Sequence, residues 1–162
     1  MGVADDTPHP SGHELSDFEL MGVALEEAHL AAEEGEVPIG AVVVLDGMII
    51  ARRHNQREQT QDPTAHAELL AVRDAAAAVG SWRLDHATVV VTLEPCAMCA
   101  GLMVNARVGR VVFGARSYES GACGSLYQLG SDPRLNHEFE TKSDVRAEEC
   151  SQLLSDYFAN LR

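Results

Sequence analysis

Two short motifs carry residue types that can bind and use a metal ion. The first is His66-Ala67-Glu68, and the second is Pro95-Cys96-Ala97-Met98-Cys99. The spacing of Cys96 and Cys99 puts both thiols on one face of a helix, where they can hold one ion. A helix start also favours thiolates, because its positive dipole end stabilises negative charge and lowers the pKa of a thiol.

His66 would add a nitrogen ligand to the two thiolates. This donor set suits zinc, and three protein ligands leave the fourth tetrahedral position to water, which is typical of catalytic zinc. Glu68 supplies the other group this chemistry needs, since a carboxylate near such a water can accept its proton and pass it on. The motifs therefore predict one Zn²⁺ per subunit, with Glu68 as the proton shuttle.

The geometry that joins the two motifs is a prediction in its own right. Positions two apart on an ideal helix diverge by about 200°, so His66 and Glu68 can share a site only if it lies beyond the helix end. His-x-Glu together with Pro-Cys-x-x-Cys, each following a strand and opening a helix, is a known signature of zinc-dependent nucleobase deaminases. Either motif alone would be weak evidence for such an enzyme.

The elements that must position these motifs follow from capping and periodicity. A capping box of Ser16 and Glu19 begins a helix from about residue 17 to 34. The apolar run 41–45, the turn Asp46-Gly47 and the segment 48–51 predict a hairpin. Further predicted strands span 88–93, 108–114 and 139–142, further helices 65–78, 95–106 and 145–161, and a long loop 115–133. This alternation predicts an α/β fold, a three-layer α/β/α sandwich with a central mixed sheet.

Length and composition bound the remaining possibilities. We expect residues 1–13 to form a disordered N-terminal tail and residues 14–162 to form a single zinc-dependent deaminase domain. There is no apolar run of the ~20 residues that span a membrane and no signal-like start, so we expect a cytoplasmic protein with no membrane partner. Cysteines there remain reduced, which predicts free thiols for Cys123 and Cys150.

The charge distribution is uneven. The net charge is −13, and no Lys or Arg occurs before Arg52. Such a balance argues against nucleic acid as a partner, because phosphate binding needs cations. The middle third is the only part that is not acidic, and it contains both motifs. The pattern is explained either by a solvated acidic N-terminal helix or by a locally basic surface around the site of an otherwise acidic protein.

Beyond the zinc motifs, the sequence resembles the bacterial tRNA-specific adenosine deaminases of the cytidine-deaminase-like superfamily. The resemblance extends from about Phe18 to Phe158. The matching blocks are Gly35 to Ala41, Asn55, Asp62 to Glu68, Val91 to Gly101, Gly109 to Arg116, Gly124 to Leu126, and Asn136-His137. In the family, the later of these blocks separate the tRNA enzymes from the free-guanine and free-cytosine deaminases, which share the zinc motifs.

The resemblance implies a reaction and a set of site residues. Hydroxide would attack C6 of the wobble adenosine in the anticodon stem-loop of tRNA, giving inosine and ammonia, on a homodimer that binds tRNA near the subunit boundary. Ser117 stands in a substrate-facing loop where the family often has Asp. The implied residues are His66, Cys96 and Cys99 for zinc, Glu68 for proton transfer, and Asn55, Pro38, Ile39, Ser117 and Phe158 for substrate.

Two other functions compete with this one. A zinc-dependent deaminase of a free base or nucleoside, such as guanine or cytosine, shares the zinc motifs and is favoured by the acidic charge. A zinc-stabilised RNA-binding protein without catalysis is disfavoured by Glu68, and a structural Cys3His site would need Cys123. Trp82 is expected to pack as an anchor after a helix end. Surface or capping positions are expected for His29, His54, His86 and His137.

Overall fold

The central layer is a mixed sheet. The computed structural model describes residues 14–161, so the expected N-terminal tail, residues 1–13, lies outside it. Strand β1 is antiparallel to both β2 and β3, whereas β3, β4 and β5 run parallel. The strands are β1 (Gly40–Leu45), β2 (Met48–His54), β3 (Thr88–Leu93), β4 (Arg110–Ala115) and β5 (Glu140–Lys142), in the order β2-β1-β3-β4-β5.

Helices cover both faces of this sheet, which confirms the predicted three-layer α/β/α architecture. Their bounds are α1 (Asp17–Glu33), α2 (Arg57–Thr60), α3 (Ala67–Val79), α4 (Ala97–Asn105) and α5 (Ala147–Asn160). Helices α3 and α4 pack on one face and α1 and α5 on the other. The short helix α2 and a 3-10 turn at Leu129–Ser131 were not predicted.

Strand β3 runs through the middle of the molecule and contributes to both cores. Val89 and Val91 pack with α3 and α4, while Val90 packs with α1 and α5. A strand covered on both faces must be apolar at successive positions, which explains its unbroken valine run. Because β3 is fixed on both sides, its carboxyl end is a rigid base for the residues that follow it.

Helix α1 begins where its capping box predicts and lies close to β1. The Ser16 side chain accepts the Glu19 backbone N–H at 3.2 Å, and Glu19 accepts the Ser16 N–H at 2.8 Å. A Cβ at Gly40 would collide with the carbonyl oxygen of Ala24 in α1. Glycine is therefore required where this helix crosses the first strand.

Two polar networks fix α1 to the sheet edges. At one edge Asp17 accepts hydrogen bonds from Arg110 at 2.8 Å and Lys142 at 2.9 Å. At the other, His54 lies 2.7 Å from a carboxylate oxygen of both Glu27 and Glu34. Burial alone would lower the pKa of His54, but these two hydrogen bonds raise it. The expectation of an ordinary surface position for His54 was wrong, because its partners are distant in sequence.

Trp82 does not serve as the expected packing anchor. Its side chain is 62% exposed, and the guanidinium carbons of Arg83 and Arg107 lie 5.6 and 6.0 Å from its ring centroid. The ring is thus partly covered by cations in place of apolar neighbours.

None of the helices in residues 14–161 is both long and apolar enough to cross a membrane.

Replacing Asp17 with Asn should destabilise the protein in a pH-dependent way. Hydrogen bonds from Arg110 lower the pKa of Asp17 below its ordinary value of 3.8. Its contribution is therefore complete above that value and is lost as the pH falls toward the folded-state pKa. We expect Asp17→Asn to lower the free energy of unfolding at pH 7 by about 1–2 kcal/mol, measured by urea denaturation.

The gap between wild type and Asp17→Asn should narrow below pH 4, and a gap that does not change with pH would contradict the assignment. Asp85→Asn is the matched control. Asp85 pairs with Arg83 at 2.8 Å on the open surface, where an ion pair is worth little. Its urea midpoint should match that of wild type.

Candidate active site

The candidate metal ligands come from two helix starts. His66 is the N-cap residue of α3 and Cys96 the N-cap residue of α4, and neither side chain caps its helix. Both helices begin two residues later than predicted, so His66 and Cys96 have extended backbones just outside them. Because His66 is not helical, it shares one site with Glu68 despite their spacing of two.

Distances within this cluster fit a tetrahedral ion. His66 Nδ1 lies 3.6 Å from Cys96 Sγ and 3.5 Å from Cys99 Sγ. Ligands bound to zinc at about 2.05 Å (nitrogen) and 2.3 Å (sulfur) lie about 3.6 Å apart at the tetrahedral angle. Candidate ligand atoms of these three residues and Glu68 all lie within 4.8 Å of one another, and residues 14–161 contain no other such group. Cys123 is not part of it.

Protonation in the cluster is set by the contacts among its members. Hydrogen bonds from Cys99 and His66 lower the pKa of Cys96 to about 3. The Cys96 and Glu68 side chains raise the pKa of His66 to about 9. Cys99 has a raised pKa, because Cys96 beside it and its own burial disfavour a second thiolate. The contacts between His66 and Cys96 thus favour an imidazolium beside a thiolate.

Glu68 lies in the first turn of α3 and points into the cluster. Its side chain is buried, and Oε1 is 3.7 Å from His66 Nδ1. A small cleft opens over these groups. Its lining residues are Ile39, His66, Glu68, Leu93, Glu94, Cys96 and Ser120. A larger surface groove runs between α1 and α5, on the other face of the sheet.

The structure brings three of the expected substrate residues beside the cleft. Ile39 lines it, Pro38 is buried next to Ile39, and the backbone N–H of Asn55 donates to the Ile39 carbonyl at 3.1 Å. The Asn55 side chain is buried, and its Oδ1 has no hydrogen-bond partner within residues 14–161. A buried acceptor without a protein partner is uncommon and requires an explanation, such as a bound water, ion or ligand.

The other two expected substrate residues lie outside the cleft. Ser117 is half-buried in the loop after β4, and its Oγ is 2.9 Å from that of Ser120, which lines the cleft. Phe158 is 49% exposed on α5. The neighbouring Tyr157 hydroxyl donates to the Gly35 carbonyl at 3.3 Å, close to the segment that carries Pro38.

Two buried carboxylates, Glu36 and the cleft-lining Glu94, had no predicted role. Glu36 accepts the backbone N–H groups of Glu58 at 3.2 Å and Gln59 at 2.7 Å. Glu94 accepts hydrogen bonds from the loop after β4. For Glu94 the available signal was an acid directly after the apolar run of β3, since an acid in such a setting is buried only with donors around it. Glu36 follows two other acids and a glycine, so its sequence context gave no such signal.

Comparison with known proteins identifies deaminases as relatives of this chain. The family model described as MafB19-like deaminase matches residues 15–162. The tRNA-specific adenosine deaminase of Bacillus subtilis (strain 168) is 52% identical over 142 residues, 88% of each chain. The tRNA-specific adenosine deaminase of Haemophilus influenzae is 46% identical over 147 residues, covering 90% of this chain and 85% of that protein.

Solved structures agree with the sequence matches. A structure from a study of A-to-I editing by tRNA:A34 deaminases at the wobble position of transfer RNA has a TM-score of 0.81 and 43% identity, covering 83% of this chain and 98% of that chain. Guanine deaminase from Nitrosomonas europaea has a TM-score of 0.75 and 25% identity, covering 89% and 85%. The fold is thus the cytidine-deaminase-like one that the resemblance implied.

Zinc binding to the metal-free protein at pH 7 should release protons. His66 carries a proton there and Cys99 is a thiol, whereas ligands must be deprotonated to bind. We expect about two protons released per zinc ion, measured by calorimetry in buffers of different ionisation enthalpy. Cys99→Ser should abolish tight binding, and the exposed His29→Ala should leave it unchanged. Zinc binding without proton release would contradict His66 and Cys99 as candidate ligands.

Proposed function

The chain belongs to the tRNA-specific adenosine deaminases within the MafB19-like deaminase family, and on that premise we propose how its residues convert a wobble adenosine of tRNA to inosine. The reaction adds water at C6 of adenine and releases ammonia. The observation that carries the proposal is the cluster of His66, Cys96, Cys99 and Glu68, whose candidate ligand atoms lie within 4.8 Å of one another.

We propose His66 Nδ1 and the Cys96 and Cys99 thiolates as ligands of one Zn²⁺. The separations of 3.5 and 3.6 Å between the nitrogen and the sulfurs support this set. Bound zinc supplies Lewis acidity, which brings the pKa of water toward neutrality. Glu68, the fourth member of the cluster, is not one of the proposed ligands, and its carboxylate is therefore available for proton transfer.

Glu68 would move the protons of the reaction. Its carboxylate accepts a proton from the attacking water as the C6–O bond forms and delivers it to N1 of adenine. It then takes the proton of the new hydroxyl to the exocyclic nitrogen as the C6–N6 bond breaks, so that ammonia leaves and a C6 carbonyl remains. Burial of Glu68 supports this role, since few water molecules compete for the proton.

Asn55, Pro38 and Ile39 would hold the base. The unpartnered Oδ1 of Asn55 can accept a hydrogen bond from the adenine, which supports its assignment as a base contact. Ile39 lines the cleft and the adjacent Pro38 is buried, which supports an apolar wall against the ring. Anticodon nucleotides are already unpaired in a loop, so bringing one into a cleft costs little.

Ser117 and Phe158 would contact the RNA beyond the base. Ser117 reaches the cleft through its neighbour Ser120, and Phe158 offers an exposed ring of the kind on which bases stack. We further propose a cytoplasmic homodimer with the anticodon stem-loop near the subunit boundary. Exposed aromatic and apolar side chains in the loop after β4 support such a boundary, namely Tyr118, Leu126 and Tyr127.

A substrate panel tests the function directly. Zinc-loaded protein would be given a tRNA with a wobble adenosine, the same tRNA with guanosine there, and free adenine, adenosine, guanine and cytosine. We expect inosine only in the first tRNA, detected by nucleoside mass spectrometry. Deamination of a free base alone would favour the second candidate, which the net charge of −13 and the guanine deaminase match support.

Glu68→Gln separates catalysis from metal binding. It keeps the size of the side chain but removes the carboxylate that accepts a proton. We expect inosine formation to fall about 1,000-fold or more, while zinc content and melting temperature stay as in wild type. Glu33→Gln, at an exposed acid at the end of α1, is the control and should be fully active. Retained turnover in Glu68→Gln would remove Glu68 from the mechanism.

Asn55→Ala tests the base contact. Loss of one hydrogen bond to the substrate should raise KM for an anticodon stem-loop about 10-fold, with zinc content unchanged. Asn105→Ala, at the exposed end of α4, is the matched control. An unchanged KM in Asn55→Ala would show that the free Oδ1 does not meet the base.

A further inference from the structure

Glu94 is a buried carboxylate that the proposed chemistry does not use. It directly follows β3 and stands two residues before the candidate ligand Cys96. Its side chain is almost fully buried, and no Lys, Arg or His within residues 14–161 forms an ion pair with it. An ionised group in such a place must be satisfied by other donors.

Those donors all come from one segment, residues 117–125, which we call the anchored loop. Oε1 accepts the backbone N–H of Ser117 at 3.1 Å and the hydroxyl of Ser125. Oε2 accepts the N–H groups of Cys123 and Ser125, each at 3.0 Å. Both oxygens are thus acceptors, and only a carboxylate offers two acceptor oxygens in this shape.

The anchored loop is pressed closely against this carboxylate and the residues after it. A Cβ on Gly121 would collide with the Glu94 side chain and with the carbonyl of Ser117. The Ala122 N–H donates to the Pro95 carbonyl at 2.8 Å, and Gly121 forms an isolated β-bridge with Cys96. The loop therefore lies directly on the turn that presents the metal ligands.

The same loop forms part of the cleft. Ser120 lines it together with Ile39, His66, Glu68 and Cys96. We propose that Glu94 is a positioning residue, which fixes the anchored loop as the wall that holds the target nucleotide over Glu68. The nature of that nucleotide rests on the proposed function, whereas the ordering of the loop does not.

Glu94→Gln is the sharpest test. Glutamine has the same shape, but its NH2 group replaces one acceptor oxygen and would face backbone N–H groups. We expect peptides covering residues 117–125 to exchange backbone hydrogen faster, with zinc content unchanged. For an anticodon stem-loop, KM should rise about 10-fold and kcat/KM should fall about 100-fold, as expected when a reacting group is displaced by about 1 Å.

Two further variants keep the test specific. Ser125→Ala removes one of the four hydrogen-bond donors to Glu94. In an otherwise wild-type chain it should lower kcat/KM about 5-fold. Added to Glu94→Gln, it should cause no further loss. Asp17→Asn weakens the fold at a distant edge and should leave KM unchanged. A loss confined to kcat in Glu94→Gln would mean only a smaller folded fraction, and additive losses with Ser125→Ala would mean independent roles. Either result overturns the proposal.

Failure of the two proposals can be told apart. If wild-type protein makes no inosine in any tRNA, the proposed function fails, but hydrogen exchange still reports on Glu94 without a substrate. Unchanged exchange across residues 117–125 in Glu94→Gln overturns the role of Glu94, even if the enzyme is fully active on tRNA.

Discussion

Two helix starts meet beside the carboxyl end of the central strand β3, and the candidate chemistry depends on that meeting. His66 and Cys96 each stand just before a helix, with side chains that leave the helix ends uncapped. β3 separates the two helices in sequence and is fixed by core on both faces, so its carboxyl end holds the second helix start still. The separations of 3.5 and 3.6 Å between the His66 nitrogen and the two sulfurs thus follow from the placement of the two helix starts.

Buried acids hold the segments on either side of this meeting point. Glu36 accepts N–H groups at the start of α2, close to Asn55, and Glu94 accepts those of residues 117–125. Both are satisfied chiefly by main-chain donors and not by cations. A carboxylate used in this way fixes the path of a loop, because each backbone N–H must stay at hydrogen-bond distance from a buried group. The cleft is therefore shaped by loops that have little freedom.

Local patterns were enough to predict much of this fold. Ser16 with Glu19 marked the start of α1, valine runs marked β1 and β3, and the cysteine spacing marked one helix face. Three features had no local signal. The insertion of β1 between β2 and β3 depends on long-range pairing, α2 is too short for a periodic pattern, and the environment of His54 depends on acids in another element. The role of Glu94 likewise requires knowing where a distant loop lies.

The uncapped starts of α3 and α4 also change how the charge of this protein should be understood. A formal charge of −13 counts side chains only. Each helix start carries roughly half a positive charge from its aligned peptide dipoles, and two such ends converge where thiolates and a carboxylate collect. In effect the main chain provides the local cation. Charge counts from sequence therefore leave out a positive contribution of the main chain beside the cleft.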